Sequence, residues 1–311
     1  MKKINFGILI SVVIATHNRA RYLIKALEGL AQQTLSHDKF EVLVVDNNST
    51  DDTKQVVTLF AKTNIFVEYF HEPKLGSNIA RNTGWYQATG KYVAFLDDDA
   101  VPNSFWLENI IKAFAHTQTH LGIVGGKVNP VWEEEKPRWI QGKLLSALSV
   151  LDYGDSPRFL QENEFFFSVN MAFKRNLLEK FGGFETGVSR SGKNLLTNDE
   201  IPISIKIRQA GYKLYYDPSI FVDHIIPAGR LTMPWFTRRY FSQGYSDALM
   251  WRIMEKPDFS AKSKKAFFHL YCFLRNPRYI LRLFYVPSDH ENLYKKLIAH
   301  AWLGYLKGLF S

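Results

Sequence analysis

Two patterns of hydrophobic residues alternate along the chain. Continuous apolar runs predict buried strands, and apolar residues spaced three or four positions apart predict helices that pack on one face. The predicted strands are residues 8–15, 41–45, 65–70, 91–96, 165–173 and 212–216. The predicted helices are residues 20–33, 77–88 and 200–210. Strands that alternate with helices are typical of an α/β domain with a mainly parallel central sheet.

Three of the predicted strands, the first, second and fourth, are each followed directly by polar residues. In an open parallel sheet, ligands bind at the carboxyl ends of the strands. Asp97, Asp98 and Asp99 come immediately after strand 91–96. Three adjacent carboxylates repel one another, so we expect a cation beside them. Mg²⁺ and Mn²⁺ take oxygen ligands from carboxylates and from substrate phosphates. The sequence therefore predicts a divalent-cation site for a phosphorylated, nucleotide-like substrate.

The overall composition narrows the class of protein. A chain of 311 residues with 46% hydrophobic and 15% aromatic residues is not disordered and can form a substantial core. Its single cysteine, Cys272, excludes a disulfide framework and is compatible with a reducing compartment. The apolar run after Lys2 and Lys3 predicts a buried first strand rather than a signal peptide. Since no apolar run reaches about 18 residues, we expect no transmembrane helix.

Positive charge is concentrated at the carboxyl-terminal end of the chain. Residues 226–311 contain 14 Lys and Arg against five Asp and Glu, whereas residues 1–225 are balanced. We therefore predict a main domain at 1–226 and a basic, aromatic, helical extension at 227–311. Residues 262–285 and 294–310 have the composition of helices in an anionic membrane interface. A packed amphipathic helical pair with a solvated basic face is the alternative. No nucleic-acid recognition motif is present, so we expect no nucleic-acid partner.

Four motifs that occur in order resemble one family. They are residues 12–19 (VVIATHNR), 44–51 (VVDNNSTD), 80–82 (ARN) and 95–99 (FLDDD). Together they resemble the inverting nucleotide-sugar glycosyltransferases of family 2, over about residues 10–245. The resemblance implies a GT-A fold, which is Rossmann-like, with the basic helical extension added. It also implies metal-dependent transfer of a sugar, with inversion, to a hydroxyl of a glycan or lipid-linked acceptor in polysaccharide or glycoconjugate biosynthesis. We expect such an enzyme to be cytoplasmic and peripheral on the inner membrane.

The resemblance also implies roles for individual residues around the donor. The positions expected to bind the nucleotide are Thr16, Asn18, Arg19, Asp46, Asn47, Arg81, Asp97 and Asp98. Asp99 matches the family's metal ligand, with Asp97 and His224 as further ligands for Mn²⁺ or Mg²⁺. Many relatives have aspartate at the position of Asn47, and an amide can donate as well as accept. The base of the donor therefore stays open, with UDP expected first and GDP or dTDP as alternatives.

The catalytic base and the acceptor side follow from the same resemblance. Relatives carry a Glu-Asp pair whose aspartate deprotonates the acceptor, and this chain has Asp199-Glu200 instead. Counting back from the end of the predicted helix places the base at Glu200 first and Asp199 second. A carboxylate at a helix amino terminus is kept charged by the helix dipole. The residues expected to contact the acceptor or the diphosphate are Asn170, Arg230, Arg238, Arg239 and Gln243.

Two other functions compete with glycosyl transfer. A sugar-phosphate nucleotidyltransferase is also α/β and metal-dependent, but it favours a glycine-rich phosphate loop after the first strand. Residues 16–19 contain no glycine. A non-catalytic protein that binds sugar nucleotides is the other alternative, because Asn47 and the inverted Asp199-Glu200 pair depart from the family pattern.

Overall fold

The computed structural model describes residues 7–62, 65–116, 120–188, 195–275, 280, 283–284 and 290–311. Lys2, Lys3 and Tyr285, which belong to predicted segments, lie outside these ranges. The chain divides into two compact units. The first consists of Met1–Val131, Ser149–Glu185 and Ile203–Ile225, and the second of Trp132–Leu148, Thr186–Pro202 and Ile226–Ser311. The second unit thus combines the predicted extension with two segments from earlier in the chain.

The strands of the described chain belong to two sheets. They are β1 (Ile10–Thr16), β2 (Phe40–Asp46), β3 (Val67–His71), β4 (Tyr92–Leu96), β5 (Ala100–Pro102), β6 (Leu121–Gly125), β7 (Val128–Trp132), β8 (Arg158–Phe159), β9 (Asn170–Lys174), β10 (Lys213–Tyr216) and β11 (Val222–Ile226). The large sheet has the order β3-β2-β1-β4-β9-β6-β10-β8, and β5-β11-β7 form the small one. In the large sheet, β8 and β9 run antiparallel to their neighbours and the other strands are parallel. The predicted mainly parallel central sheet is confirmed.

Helices flank the sheet and make up most of the second unit. They are α1 (Ala20–Ala31), α2 (Thr53–Phe60), α3 (Ser77–Gln87), α4 (Trp106–His116), α5 (Arg175–Phe181), α6 (Ile201–Gln209), α7 (Met233–Glu255), α8 (Phe259–Arg275) and α9 (His290–Phe310). Short 3-10 helices lie at Gly142–Leu148, Thr186–Val188 and Ala228–Arg230. Within the described ranges, no helix combines the length and the apolar content that crossing a bilayer requires.

The register of the sheet determines which polar residues lie side by side. Thr16 at the end of β1 is the direct partner of Asp46 at the end of β2. On the other side of β1, Val13 pairs with Phe95 of β4. Continuing that parallel register by three residues brings Thr16 beside Asp98. The residues of β1, β2 and β4 are almost all buried, so the polar side chains at the carboxyl ends of these strands lie at the edge of a packed core.

In the second unit, α7 and α9 pack with their backbones in close contact. A Cβ atom added to Gly244 of α7 would lie 1.7 Å from the carbonyl oxygen of Ala301, and one added to Gly304 of α9 would lie 1.9 Å from that of Phe241. Both distances are far shorter than any non-bonded contact. Glycine is therefore required at both positions for the two helices to approach this closely.

Some predicted elements differ from the observed ones. The predicted strand 165–173 is shorter and begins later, at Asn170 in β9, because the chain turns at residues 167–170 through a hydrogen bond from the Asn170 amide to the Phe167 carbonyl. The predicted helix 200–210 begins one residue later, at Ile201 in α6. The structure also contains elements that the sequence analysis did not assign, among them α2, α4, α5 and β6.

Candidate active site

Arg19 links two of the three adjacent aspartates. Its Nη1 atom lies 2.9 Å from Oδ1 of Asp98, and its Nη2 atom lies 2.5 Å from Oδ2 of Asp99. The side chains of Asp98 and Asp99 are 5% and 1% exposed, so both charges are removed from water. Buried carboxylates need a cation with good geometry. The guanidinium of Arg19, from the loop after β1, provides it.

Arg81 of α3 forms an ion pair with the third aspartate, Asp97. Its Nη2 atom lies 3.2 Å from Oδ1 of Asp97, and its Nη1 atom donates to Oδ1 of Asn78 at 3.2 Å. The side chain of Arg81 is buried, and its guanidinium lies over the ring of Phe184. A solvated helix face, the ordinary role of a helical arginine, is therefore excluded for Arg81. Two arginines of the chain itself thus compensate the triple carboxylate, and repulsion alone does not require a metal.

His224 of β11 faces the same aspartate as Arg19. Its Nε2 atom lies 3.2 Å from Oδ1 of Asp99, and both side chains are buried. This spacing suits two adjacent ligands of one octahedral cation, whose oxygens lie about 3 Å apart for bonds of about 2.1 Å. The pairing of β11 with β5 brings His224 opposite Ala100, one residue after Asp99. An oxygen and a nitrogen ligand together fit Mn²⁺.

The described residues alone do not complete a coordination shell. Among the described residues, no group of three or more His, Cys, Asp or Glu side chains is arranged to hold a metal ion. Mg²⁺ and its relatives are commonly bound by one or two protein ligands together with substrate phosphates and water. Asp99 and His224 therefore fit a cation that arrives with, or is completed by, a phosphorylated ligand.

Both carboxylate oxygens of Asp98 have partners within the protein. Its Oδ2 atom accepts a hydrogen bond from Oγ1 of Thr16 at 2.8 Å, while its Oδ1 atom contacts Arg19. Burial raises the pKa of Asp98 to about 6, because the charge of Asp99 adds to desolvation and the Arg19 guanidinium offsets them only in part. Both carboxylate oxygens serve Thr16 and Arg19, so Asp98 positions Arg19 beside Asp99.

The loop after β2 uses its polar side chains to shape the neighbouring loops. Nδ2 of Asn47 donates to the carbonyls of Glu72 and Lys74, at 3.1 and 2.7 Å, and its Oδ1 accepts from the amide of Gly76 at 2.7 Å. An aspartate could not make the two donor contacts. The amide of Asn47 therefore fixes the loop that leads into α3, and its predicted contact with the nucleobase stays a prediction.

The side chains of Asp46 and Asn18 also form hydrogen bonds within the protein. The carboxylate of Asp46 accepts from the amide of Ser49 at 2.8 Å and from the Tyr69 hydroxyl at 2.7 Å. Asn18 has a left-handed backbone, with φ of 53°, and its Oδ1 atom accepts from the amide of Thr50 at 2.7 Å. These contacts tie the loops after β1 and β2 together. Both residues lie at the predicted edge of the sheet, and their contacts make them part of its framework.

The predicted catalytic base lies in the second unit, directly before α6. Asp199 and Glu200 are both buried and follow Asn198, whose backbone is left-handed with φ of 68°. The amide of Ile201 donates to the carbonyl of Asn198, which closes the turn at the start of α6. Both carboxylates therefore lie at the amino terminus of α6.

Three residues of α7 hold this turn. Oγ1 of Thr197 donates to Gln243 at 2.9 Å, and the amide of Thr197 donates to the Ser246 hydroxyl at 3.0 Å. Asp247 accepts from Nδ2 of Asn198 at 2.7 Å and from Nε2 of Gln243 at 3.0 Å. Burial raises the pKa of Asp247, and its two donors and Arg239 offset this only in part. Gln243 was predicted on the acceptor side, and its contacts give it the role of positioning the turn.

Sequence reasoning missed Ser246 and Asp247. Their spacing from Gln243, three and four residues along one helix, places them on the face that meets the turn. That spacing was the available signal. It could not be interpreted without knowing that the segment before α6 packs on α7.

The other residues predicted to contact the acceptor or the diphosphate lie in different parts of the structure. Arg239 is buried, with Nε donating to the carbonyl of Ala147 at 3.1 Å, whereas Arg238 is exposed on another face of α7. Arg230 ends the short 3-10 helix before α7 and is partly exposed. Asn170 is buried in the first unit, where Trp106, Lys127 and Ile220 engage its amide. Asn170 thus has a structural role, and its predicted contact with a ligand gains no support from these bonds.

Comparisons with known proteins identify the family of the chain. The sequence profile described as "Glycosyl transferase family 2" matches residues 11–182, which is more than half of the chain. The chain is 26% identical over 244 residues to a glucosyl-dolichyl phosphate glucuronosyltransferase of Haloferax volcanii, covering 78% of this chain and 77% of that protein. It is 27% identical over 246 residues to the glycosyltransferase AglE of the same organism, covering 78% and 74% respectively.

Solved structures share the fold. A mannosyltransferase from Pyrobaculum calidifontis, in complex with GDP-Man and Mn²⁺, superposes with a TM-score of 0.57 at 24% identity and covers 96% of this chain and 69% of that one. TarS of S. aureus (residues 1–349, with UDP) superposes with a TM-score of 0.56 at 16% identity, covering 98% and 91%. The predicted GT-A fold is confirmed.

Proposed function

The chain belongs to glycosyl transferase family 2, and on that premise we propose that it transfers a sugar, with inversion, from a nucleoside diphosphate sugar to a hydroxyl of a lipid-linked acceptor. The observation that carries this proposal is the cluster of Arg19, Asp98 and Asp99, which follow the carboxyl ends of β1 and β4, with His224 of β11. The cluster combines a partly exposed cation with two buried candidate metal ligands in the region where ligands of such sheets bind.

Asp99 and His224 are the residues that would hold a divalent cation, Mn²⁺ first and Mg²⁺ second. Such a cation supplies Lewis acidity, which stabilises negative charge on a departing diphosphate. The solved mannosyltransferase and a GalNAc-T7 structure contain Mn²⁺, which supports this assignment. Asp97, paired with Arg81 and one third exposed, is placed to contact the ribose or a cation-bound water.

Arg19 and Arg81 orient the three carboxylates of the proposed donor site. The guanidinium of Arg19 contacts both Asp98 and Asp99, so it sets the orientation of the Asp99 carboxylate. Arg81 orients Asp97 at the end of β4. We assign Thr16, Asp46 and Asn47 to the framework around the base rather than to direct base recognition alone, since their side chains already bind within the chain.

In the second unit, Glu200 removes the proton from the acceptor hydroxyl, with Asp199 as the alternative base. The turn that carries both is fixed by Gln243, Ser246 and Asp247, so either carboxylate is presented in a defined position. Deprotonation of the hydroxyl as it attacks the anomeric carbon is general-base catalysis, which contributes about 10²- to 10⁴-fold in rate.

The donor base and the acceptor are inferred from relatives. Solved structures with this fold hold UDP, UDP-GlcNAc or GDP-Man, and UDP is our first expectation. The name of the Haloferax volcanii glucuronosyltransferase specifies a dolichyl phosphate-linked sugar. We therefore propose a polyprenyl-phosphate-linked sugar as acceptor, with the enzyme peripheral on the cytoplasmic face of the membrane that contains it.

Substitution of the two carboxylates tests the function. Glu200→Gln should lower sugar transfer to a polyprenyl-phosphate-linked acceptor in detergent by about 10²-fold or more, since the amide cannot accept a proton. Its binding of nucleoside diphosphate should be unchanged. Asp199→Asn is the matched control, with a smaller loss expected. Loss of transfer in Asp199→Asn alone would exchange the two roles, and full transfer in both variants would refute the proposal.

A further inference from the structure

Helix α8 exposes its apolar residues. Phe267, Leu270, Tyr271 and Leu274 follow one another at positions i, i+3, i+4 and i+7, which places them in one stripe along the helix. They are 71%, 45%, 50% and 56% exposed. Among the described side chains of α8, none is buried. A contiguous exposed apolar stripe on a protein surface marks a site of interaction.

The opposite side of α8 attaches it to the second unit through polar and aromatic contacts. The ammonium of Lys265 lies 4.0 Å from the ring centroid of Trp251 in α7. The ring of His269 lies 4.6 Å from that of Tyr305 in α9. These contacts fix the rotation of the helix about its axis. The apolar stripe therefore faces outward because Lys265 and His269 already occupy the inward side.

The charges on α8 identify the kind of partner. The helix contains Lys262, Lys264, Lys265 and Arg275 and no acidic residue. Lys264 and Arg275 are exposed and both lie along one side of the stripe, 60–100° around the helix from its centre by the helical spacing. A helix that presents aromatic residues beside Lys and Arg binds well at the interface of an anionic bilayer. A second copy of the same surface would bring like charges together.

We propose that the stripe of Phe267, Leu270, Tyr271 and Leu274 inserts into the interfacial region of an anionic membrane, with Lys264 and Arg275 contacting lipid phosphates. This inference rests on the proposed function in one respect, namely that the acceptor is lipid-linked and is reached at that surface. It deepens that function by naming the residues that bring the enzyme to its acceptor. The helix lies in the plane of the membrane and does not cross it.

Vesicle flotation of the full chain tests the proposal. The parent protein should float with vesicles of equimolar phosphatidylcholine and phosphatidylglycerol and remain in the dense fraction with phosphatidylcholine alone. The double variant Phe267→Ser, Leu274→Ser should reduce the fraction bound by about tenfold, because it removes two apolar side chains from the interface. The matched control is Leu59→Ser with Phe105→Ser, two exposed apolar residues of the first unit, and it should float like the parent.

Two further measurements separate the possible outcomes. Thermal shift by a nucleoside diphosphate should be the same in the parent and the stripe variant. This result would show that the variant is folded and that donor binding is independent of α8.

Flotation that is unchanged in the stripe variant, or that is insensitive to anionic lipid, would overturn the proposal. Sedimentation showing that the stripe variant loses self-association, without any vesicle binding by the parent, would instead assign the surface to a second copy. Flotation that depends on the stripe while no nucleotide binds would leave the membrane surface standing and refute the proposed function.

Discussion

Replacing Arg19 by alanine removes the guanidinium that both Asp98 and Asp99 contact. The two carboxylates are 5% and 1% exposed, so water cannot take over the role of the cation without a rearrangement. Removal of one partner of a buried ion pair typically costs about 3–5 kcal/mol. Because the Arg19 side chain is itself 24% exposed, we expect a loss near the lower end, about 3 kcal/mol in the free energy of unfolding.

The assay is urea unfolding of the parent and of matched variants at neutral pH. Arg21→Ala, which removes the same charge from an exposed position on α1, should cost no more than about 0.5 kcal/mol. Arg19→Ala combined with Asp98→Asn should recover part of the loss, because the neutral amide no longer needs a counter-charge. If Arg19→Ala costs no more than Arg21→Ala, the view that Arg19 compensates buried charge is wrong.

Three further predictions concern the second unit and the sheet edge. Gly244→Ala should destabilise the protein by several kcal/mol, since its Cβ would lie 1.7 Å from the Ala301 carbonyl oxygen, whereas Gly229→Ala, with open space around it, should be nearly neutral in thermal unfolding. For Asp247, burial raises the pKa above the ordinary 3.8, so its charged form costs stability above that raised value and the cost disappears as pH falls below 3.8. Asp247→Asn should therefore gain stability relative to the parent as pH rises from 3.8 to the raised pKa, and the gain should be constant above that pKa; urea titrations in which the variant gains no stability over the parent as pH rises from 3.8 would contradict the assignment. Asn47→Asp should loosen the loop at residues 72–76, because it removes the two contacts that Nδ2 donates to the carbonyls of Glu72 and Lys74, and faster amide exchange across residues 72–76 is the expected observation.

The strands that carry the site could be predicted because they are buried on both faces. The sequence of β1, β2 and β4 is an almost unbroken apolar run, and in each case the polar residues begin where the strand ends. A fully buried strand leaves this signature irrespective of its neighbours. The predicted edge with Thr16, Asp46 and Asp97 therefore needed only local sequence.

β6 shows why other elements were not predicted. Its sequence, Leu-Gly-Ile-Val-Gly, contains two glycines, which weaken the pattern of a strand. In the structure both are required by packing: a Cβ on Gly122 would lie 2.5 Å from Ile207, and one on Gly125 would lie 2.7 Å from the Asn170 carbonyl oxygen. The residues that pack on these glycines are 45 or more positions away in sequence, so the local sequence does not indicate the contacts.

The pairing of Arg19 with Asp98 and Asp99 was likewise beyond local sequence. The residues are about 80 positions apart and meet because β4 pairs with β1. The sequence indicated a cation at the three aspartates, and the structure supplies two arginines there before any metal is considered. The position of His224 beside Asp99 likewise depends on a second sheet, β5-β11-β7. Its strands are short, so their pairing could not be predicted from local sequence.

The most direct test of the account is whether a nucleoside diphosphate binds in a manner that depends on a divalent cation. Thermal unfolding would be measured with UDP, GDP, dTDP and CDP, each with Mn²⁺, with Mg²⁺ and with chelator. A ligand at 100 times its dissociation constant stabilises the folded state by about 2.7 kcal/mol. We predict that one nucleotide, UDP first, raises the midpoint with Mn²⁺ and that the rise is lost with chelator. No rise with any nucleotide and either metal, or a rise that chelator leaves unchanged, would contradict the assignment of Asp99 and His224 to a cation that binds the donor.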